Sequence, residues 1–310
     1  MANAESQEEF KLEITKDFSV GSDPNLHIVN KYGNIRIVEG QEKKITFQIE
    51  ITGKGKTREL AKSYAESVSI DFSANGNLVS AMTNLSSINC NNCGRTINYV
   101  VVAPKSVTLN LENKYGGINL DNVIKPLTID LQYGSIDANS LITAKIDLKY
   151  GQVAIQVCEQ LNLVCKYSQV NLGKMKTLKI DSKYDNIWVE SVSDFRLETG
   201  YTNVKIGKLQ KSFVCNELKY GKFSISEVAP DFSQIKIDAA YTNVKISLDS
   251  NFSFRANLST KYGEIHAEKL TFNKVSLSKD KNTTFSGIVG KDSNPSATVD
   301  ISVSYGDIDF

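Results

Sequence analysis

The residues best suited to chemistry are few and scattered. Cys90 and Cys93 form a single C-x-x-C in INCNNCG, and the only histidines are His27 and His266. A zinc site takes about four nitrogen, sulfur or oxygen ligands. Neither histidine has a Cys or His neighbour in sequence, so no metal site is expected. A thioredoxin-like C-x-x-C sits before a helix in a βαβ unit, whereas NNCGRTINYVV reads as a turn into a strand. The pair is therefore a local disulfide of an oxidising compartment or two free thiols. The chain has no G-x-S-x-G, H-E-x-x-H or P-loop. Acid–base catalysis would have to rest on carboxylates or lysines, so the chain is expected not to be an enzyme and to need no cofactor.

Recognition is the other chemistry on offer. Trp188 is the only tryptophan. Its place in the repeat described below is an outward one. An exposed indole among amides suits stacking on a sugar ring or anchoring a partner, although a single exposed aromatic is also ordinary. The candidate ligand-binding set is Trp188, Asn171, Asn186, Asn203 and Lys205.

Charge and composition narrow the partners. Thirty-six basic and 35 acidic residues in 310 leave a net charge of +1. A nucleic-acid or anionic-membrane binder would show a basic excess. No apolar run reaches the 18 residues of a membrane span. Ala2-Asn3-Ala4 has the small-x-small spacing left by a cleaved secretory signal, and three small residues also arise by chance.

Any such site must be held by the elements around it, and these announce themselves by repetition. Tyr115, Tyr133, Tyr150, Tyr167, Tyr184, Tyr201, Tyr220, Tyr241 and Tyr262 follow one another at steps of 17 to 21. Tyr32 and Tyr305 carry the same surroundings, and Phe285 fills the interval between Tyr262 and Tyr305. Three places after the aromatic stand Ile136, Val153, Val170 and Ile187; four places before stand Ile129, Ile146, Leu163 and Ile180. The residues between are polar. That alternation is the period of strands with one buried face. The parity shifts at the Tyr-Gly step, so the chain turns a corner there, with glycine expected to supply the backbone freedom.

A unit of about 17 residues cannot bury its own apolar face, but a stack of them can. The expected fold is all-β, a single-stranded parallel β-helix or β-solenoid, with the tyrosines as a structural corner ladder. Cys158 and Cys165 fall in inward columns and read as small core residues. Acidic and lysine columns beside the tyrosines read as a solvated face.

The period is lost between Tyr32 and Tyr115. There KKITFQIEIT reads as a strand, KTRELAKSYAES as a short helix, and VSIDFSANGNLVSAMT as a hairpin turning at Asn75-Gly76. The expected organisation is a flexible N-terminus (1–11), a capping region with the first coil (12–105), and a regular β-helix with rungs of about 17–23 residues (106–310). The chain stops inside its last repeat, which suggests self-association through an uncovered C-terminal coil, or cover by another protein or by a return of the chain.

The repeated x-Y-G-x-[IV]-x-[IVL], the run V-x-A-P-K-S-V-T-L-N-L-E-N-K-Y-G-G-I and the later T-F-S-G-I-V-G resemble the β-strand-repeat putative adhesin domains. This family of unknown function is frequent in Gram-negative bacteria and is similar to the head domains of auto-transporter adhesins. The resemblance spans roughly residues 12–310. It implies a right-handed coil and an extracytoplasmic place: periplasm, outer-membrane-associated or cell surface. It supplies no catalytic residues.

The functional expectation is a non-enzymatic adhesin-like protein that binds a glycan or a surface protein along one β-helix face. The alternatives are a carbohydrate-active β-helix lyase or hydrolase, and a cell-envelope scaffold. An enzyme cleft would need long insertions between rungs, and the 17-residue steps across 115–201 leave no room for one.

Overall fold

The computed structural model describes residues 7–90, 92–279 and 282–310. The protein is all-β and solenoid-like, with one helix among the described residues. It divides into two compact units, Met1–Ile146 and Asp147–Phe310. No helix among the described residues is long and apolar enough to cross a membrane.

The first unit contains β1 (Glu8–Ser19), β2 (Asn25–Lys31), β3 (Ile35–Glu39), β4 (Lys44–Gly55), α1 (Arg58–Glu66), β5 (Val68–Asn75), β6 (Leu78–Leu85), β7 (Gly94–Ala103), β8 (Thr108–Lys114), β9 (Ile118–Val123), β10 (Leu127–Gln132) and most of β11 (Ser135–Lys149). Parallel pairing links β10 to β8, β8 to β2 and β2 to β6 on one side, and β11 to β9, β9 to β3 and β3 to β7 on the next. The first coil thus lies inside the stack, between later segments of the chain. β7 pairs antiparallel with β4, and β4 with β1. β1 is paired with β4 from Glu8 onward, inside the segment expected to be a flexible N-terminus.

The strand, helix and hairpin expected between Tyr32 and Tyr115 are present. The β5–β6 hairpin turns through Gly76, whose φ of 59° suits glycine. Thr57 caps α1 by accepting from the Leu60 N–H. Ala61 and Ala65 of α1 are buried. Gly53 lets the helix approach β4, since a Cβ there would collide with the Ala61 carbonyl. Cys90 and Cys93, between β6 and β7, are joined by a disulfide.

The second unit contains β12 (Gln152–Lys166), β13 (Gln169–Lys183), β14 (Asn186–Gly200), β15 (Asn203–Val228), β16 (Gln234–Ile246), β17 (Phe254–Lys261), β18 (Ile265–His266), β19 (Phe272–Lys279), β20 (Asn282–Val289), β21 (Thr298–Ser304) and β22 (Ile308–Asp309). β12 to β16 stack in parallel, and Val153, Val170, Ile187 and Val204 come into register as one buried row. Each such side chain contributes about 1.5–3 kcal/mol by leaving water. Cys158, Cys165 and Cys215 are buried and free. Burial pushes the Cys158 thiol up to about 11 and that of Cys215 to about 12, so both stay protonated core residues.

After β16 the spatial order departs from the chain order. β21 lies between β16 and β17, parallel to both. β17 then pairs antiparallel with β20, and β20 with β19. Two expectations are corrected here. The C-terminal coil is not an open end, because β21 is hydrogen-bonded along both edges and so offers no free edge for self-association. Phe285 is no member of the tyrosine ladder: it sits on antiparallel β20 opposite Leu258, and Tyr305 stacks on both Tyr241 and Tyr262.

The corners also differ from expectation. The left-handed residue is the tyrosine itself, with φ between 54° and 64° from Tyr32 to Tyr305. The following glycine is there for close approach: a Cβ at Gly134 would strike the Gly116 carbonyl, and one at Gly221 that of Thr202. Elsewhere the place is taken by Ser168, Asp185, Thr202 and Thr242, all buried. Their oxygens accept N–H groups of the preceding corner: Gly151 to Ser168 Oγ (3.4 Å), Ser168 to Asp185 Oδ1 (2.6 Å), Asp185 to Thr202 Oγ1 (3.2 Å) and Gly221 to Thr242 Oγ1 (3.3 Å).

Candidate ligand-binding face

Strand alternation in β14 turns Ile187 and Val189 inward, to 3% and 0% exposure, and leaves Trp188 38% exposed. Its neighbours in register are Asn171 on β13 and Lys205 on β15. The Lys205 ammonium sits 5.1 Å from the indole centroid, within the range of a cation–π contact. The far end of the indole reaches Gly207, where a Cβ would lie 3.4 Å from Cη2. The tighter neighbour of Gly207 is the Glu190 carbonyl, which a Cβ would strike.

Two shallow grooves meet at Trp188. One, of about 350 Å³, is lined by Gln169, Asn171, Asn186, Asn203, Lys205, Lys222 and Ser224 together with the indole. The other, of about 480 Å³, is lined by Ala154, Gln156, Val157, Asn171, Gly173, Lys174 and Glu190, again with the indole. All five residues of the sequence-derived set border the first groove. Trp188 and Asn171 border both.

The amides are not equally available. Asn203 donates from Nδ2 to Asn186 Oδ1 at 2.9 Å, and its Oδ1 accepts the Lys222 N–H at 3.2 Å. Its side chain is therefore committed to joining rungs. Asn186 keeps its Nδ2 donors, and the Asn171 amide makes no hydrogen bond to the described residues. A ligand would meet Asn171, Asn186 and the indole first.

Charge is unevenly spread. The first groove holds Lys205 and Lys222, neither in an ion pair among the described residues, and no carboxylate. The second is lined by one lysine, Lys174, and one carboxylate, Glu190. Asp185, beside Asn186 in sequence, is turned inward at 2% exposure. Its oxygens accept from the Ser168 and Lys183 N–H groups and the Ser182 hydroxyl, so its charge is spent on the corner. Lys222 and Gln169 escaped the sequence reading as site residues. Both stand two places after a corner tyrosine, in the same column as Asn186 and Asn203, and that register was the signal for them.

A family model matches residues 24–310 of the chain, under the description Toastrack DUF4097. The chain belongs to the Toastrack family. Among solved structures, this Toastrack chain is similar to a putative adhesin from Parabacteroides distasonis ATCC 8503, at 12% identity over 76% of this chain and 97% of that one, TM-score 0.47. It is also similar to a putative cell adhesion protein from Clostridium sporogenes ATCC 15579, at 12% identity over 97% and 98% of the two chains, TM-score 0.21. A third is a putative adhesin from Bacteroides fragilis NCTC 9343, at 13% identity over 76% and 97%, TM-score 0.30. These likenesses are too distant to bear on function. No curated protein matches the chain.

In this Toastrack chain the tyrosine ladder makes a poor sugar platform, although its rings are 41–54% exposed. In the second unit the rings from Tyr150 to Tyr241 stack at centroid distances of 4.7–5.0 Å. Neighbouring rings cover the faces and leave only edges and hydroxyls to solvent. Trp188 breaks that pattern by standing alone in its column. No group of three or more His, Cys, Asp or Glu residues that could hold a metal is found among the described residues.

Proposed function

We propose that this chain is a non-enzymatic, adhesin-like binding protein that holds a glycan against the outer face of β13–β15. One observation carries the reading. The single indole stands exposed on a rigid sheet surface between two grooves, with free amide donors of Asn171 and Asn186 beside it. Aromatic rings pack against the apolar faces of sugars, while flanking amides satisfy the hydroxyls. The strand ladder holds these groups in place, so binding orders little besides side chains.

The Cys90–Cys93 disulfide supports an extracytoplasmic place, since cytosolic reductants keep such pairs as thiols. The test is a glycan-binding screen of the wild-type chain followed by Trp188→Ala. Loss of the bound glycans on that substitution, with the fold intact by circular dichroism, supports the reading. Unchanged binding removes it.

A further inference from the structure

We infer that the groove over β13–β15 is built for an acidic saccharide, one bearing uronic-acid carboxylates or sulfate esters, with its charged group seated between Lys205 and Lys222. The inference rests on the glycan-binding reading and adds the class of sugar.

The argument is one of charge complementarity. The protein as a whole is nearly neutral, with 36 basic and 35 acidic residues. Elsewhere on the second unit some surface lysines pair with carboxylates, as Lys208 does with Glu227, Lys211 with Asp231 and Lys219 with Glu217, while others stand singly. Lys205 and Lys222 are set apart by lining one groove together with no carboxylate in its wall. Lys205 has only the indole face for company. Asp185, next in sequence to the groove residue Asn186, is buried and satisfied by the corner.

Such a concentration of one sign raises the local concentration of the opposite one. The second groove has the reverse character. Ala154 and Gly173 leave room there, and Lys174 offsets Glu190. A saccharide spanning both would place an uncharged ring against the indole on the Ala154 and Gly173 side and its anionic group on the lysine side. That gives the chain a direction across the rungs. Lys205 plays two parts, since the cation held over the indole in the free protein is the one that turns to the anion on binding.

The experiment compares three probes of equal length by calorimetry: an oligogalacturonate, a sulfated heparin-type oligosaccharide and a neutral cello-oligosaccharide. Both acidic probes are expected to bind more tightly than the neutral one, with the advantage shrinking as salt is raised. Lys205→Gln and Lys222→Gln should each weaken acidic probes up to about fivefold, the range of an exposed ion pair, and weaken the neutral probe by less. Trp188→Ala should weaken all three. If only one acidic probe is favoured, the groove is selective for carboxylate or for sulfate accordingly. If the neutral probe binds as well as the acidic ones, or poly-glutamate competes as well as they do, the inference fails while the glycan reading survives a Trp188 effect. If no probe binds, or Trp188→Ala changes nothing, the glycan reading fails and takes the inference with it.

Discussion

Tyr305 stacks on Tyr241 with centroids 4.8 Å apart and ring planes 1° from parallel. Tyr262, the next tyrosine after Tyr241 in the chain, lies beyond Tyr305, stacked on its other face. The last residues of the chain are thus an interior rung of the second unit.

That placement makes the C-terminus a structural element that cannot be trimmed. Val299, Ile301, Val303 and Ile308 are almost fully buried, and β21 serves both β16 and β17 with hydrogen bonds. Removing residues 297–310 deletes four core side chains of about 1.5–3 kcal/mol each. It also opens two strand edges. The expected result is a fall in Tm on the order of 10 °C or more, with new proteolytic cleavage in 234–289. A truncated chain that melts like the intact one would show that the strand order is wrong.

Much of this fold was legible in the sequence, and the exceptions have a physical cause. Val153, Val170 and Ile187 align because equivalent rungs need equivalent residue types. The hairpin at Gly76 and the helix beside Thr57 carry local turn and cap chemistry. The order of the last strands was not legible. TVDISVSYG has the same alternation as every other rung, so its pattern fits any gap in the stack. Antiparallel β20 keeps the same period, which is why Phe285 resembles a ladder member. The corner assignment missed a visible clue, since Ser168, Asp185, Thr202 and Thr242 replace glycine while the tyrosine never changes. The binding set came together because outward residues one rung apart are neighbours. Its charge balance depended on ion pairs and side-chain directions that no spacing reveals.

Tyrosine at a left-handed corner is a compromise between strain and stacking. Tyr184 has φ 64° and packs between Tyr167 and Tyr201, each 4.9 Å away. A left-handed non-glycine residue costs about 1–2 kcal/mol, while each aromatic pair contributes about 0.5–1.5 kcal/mol. Tyr184→Phe keeps both terms and should be near neutral. Tyr184→Gly loses the stack but relieves the strain, for a net loss of up to about 2 kcal/mol. Tyr184→Ala loses the stack and keeps the strain, so it should be the worst of the three. Denaturant midpoints check the order, and an alanine variant as stable as the glycine one would contradict it.

Asp185 is the most demanding of the corner residues. Ser182, Ser168 and Lys183 all donate to it, and Ser168 and Ser182 are buried. Asp185→Ala leaves these buried donors unmet and should destabilise by about 1–3 kcal/mol per unpaired group. Asp185→Asn turns an amide N–H₂ toward a donor and should also destabilise. Asp185→Gly removes the same acceptor as alanine and frees the unfolded backbone, so it should cost at least as much, leaving asparagine, which keeps one acceptor oxygen, the mildest. Thermal melts of the three variants decide the ranking.

The His266 ring ties β18 to β22. Its Nδ1 lies 2.8 Å from Asp309 Oδ1 and its Nε2 lies 3.1 Å from Glu264 Oε2. Asp309 first, then Glu264, hold the imidazole pKa above its ordinary 6.5. Lys245 on β16 is the other register neighbour of Asp309. A raised folded-state pKa means the ion pairs act fully below pH 6.5 and fade as pH rises through the shifted value. Titration of the His266 ring by NMR should give a midpoint above 6.5, and Asp309→Asn should bring it down. Hydrogen exchange at β18 and β22 should quicken as the ring loses its proton. A midpoint at or below the ordinary value would mean that the carboxylates do not hold the ring in solution.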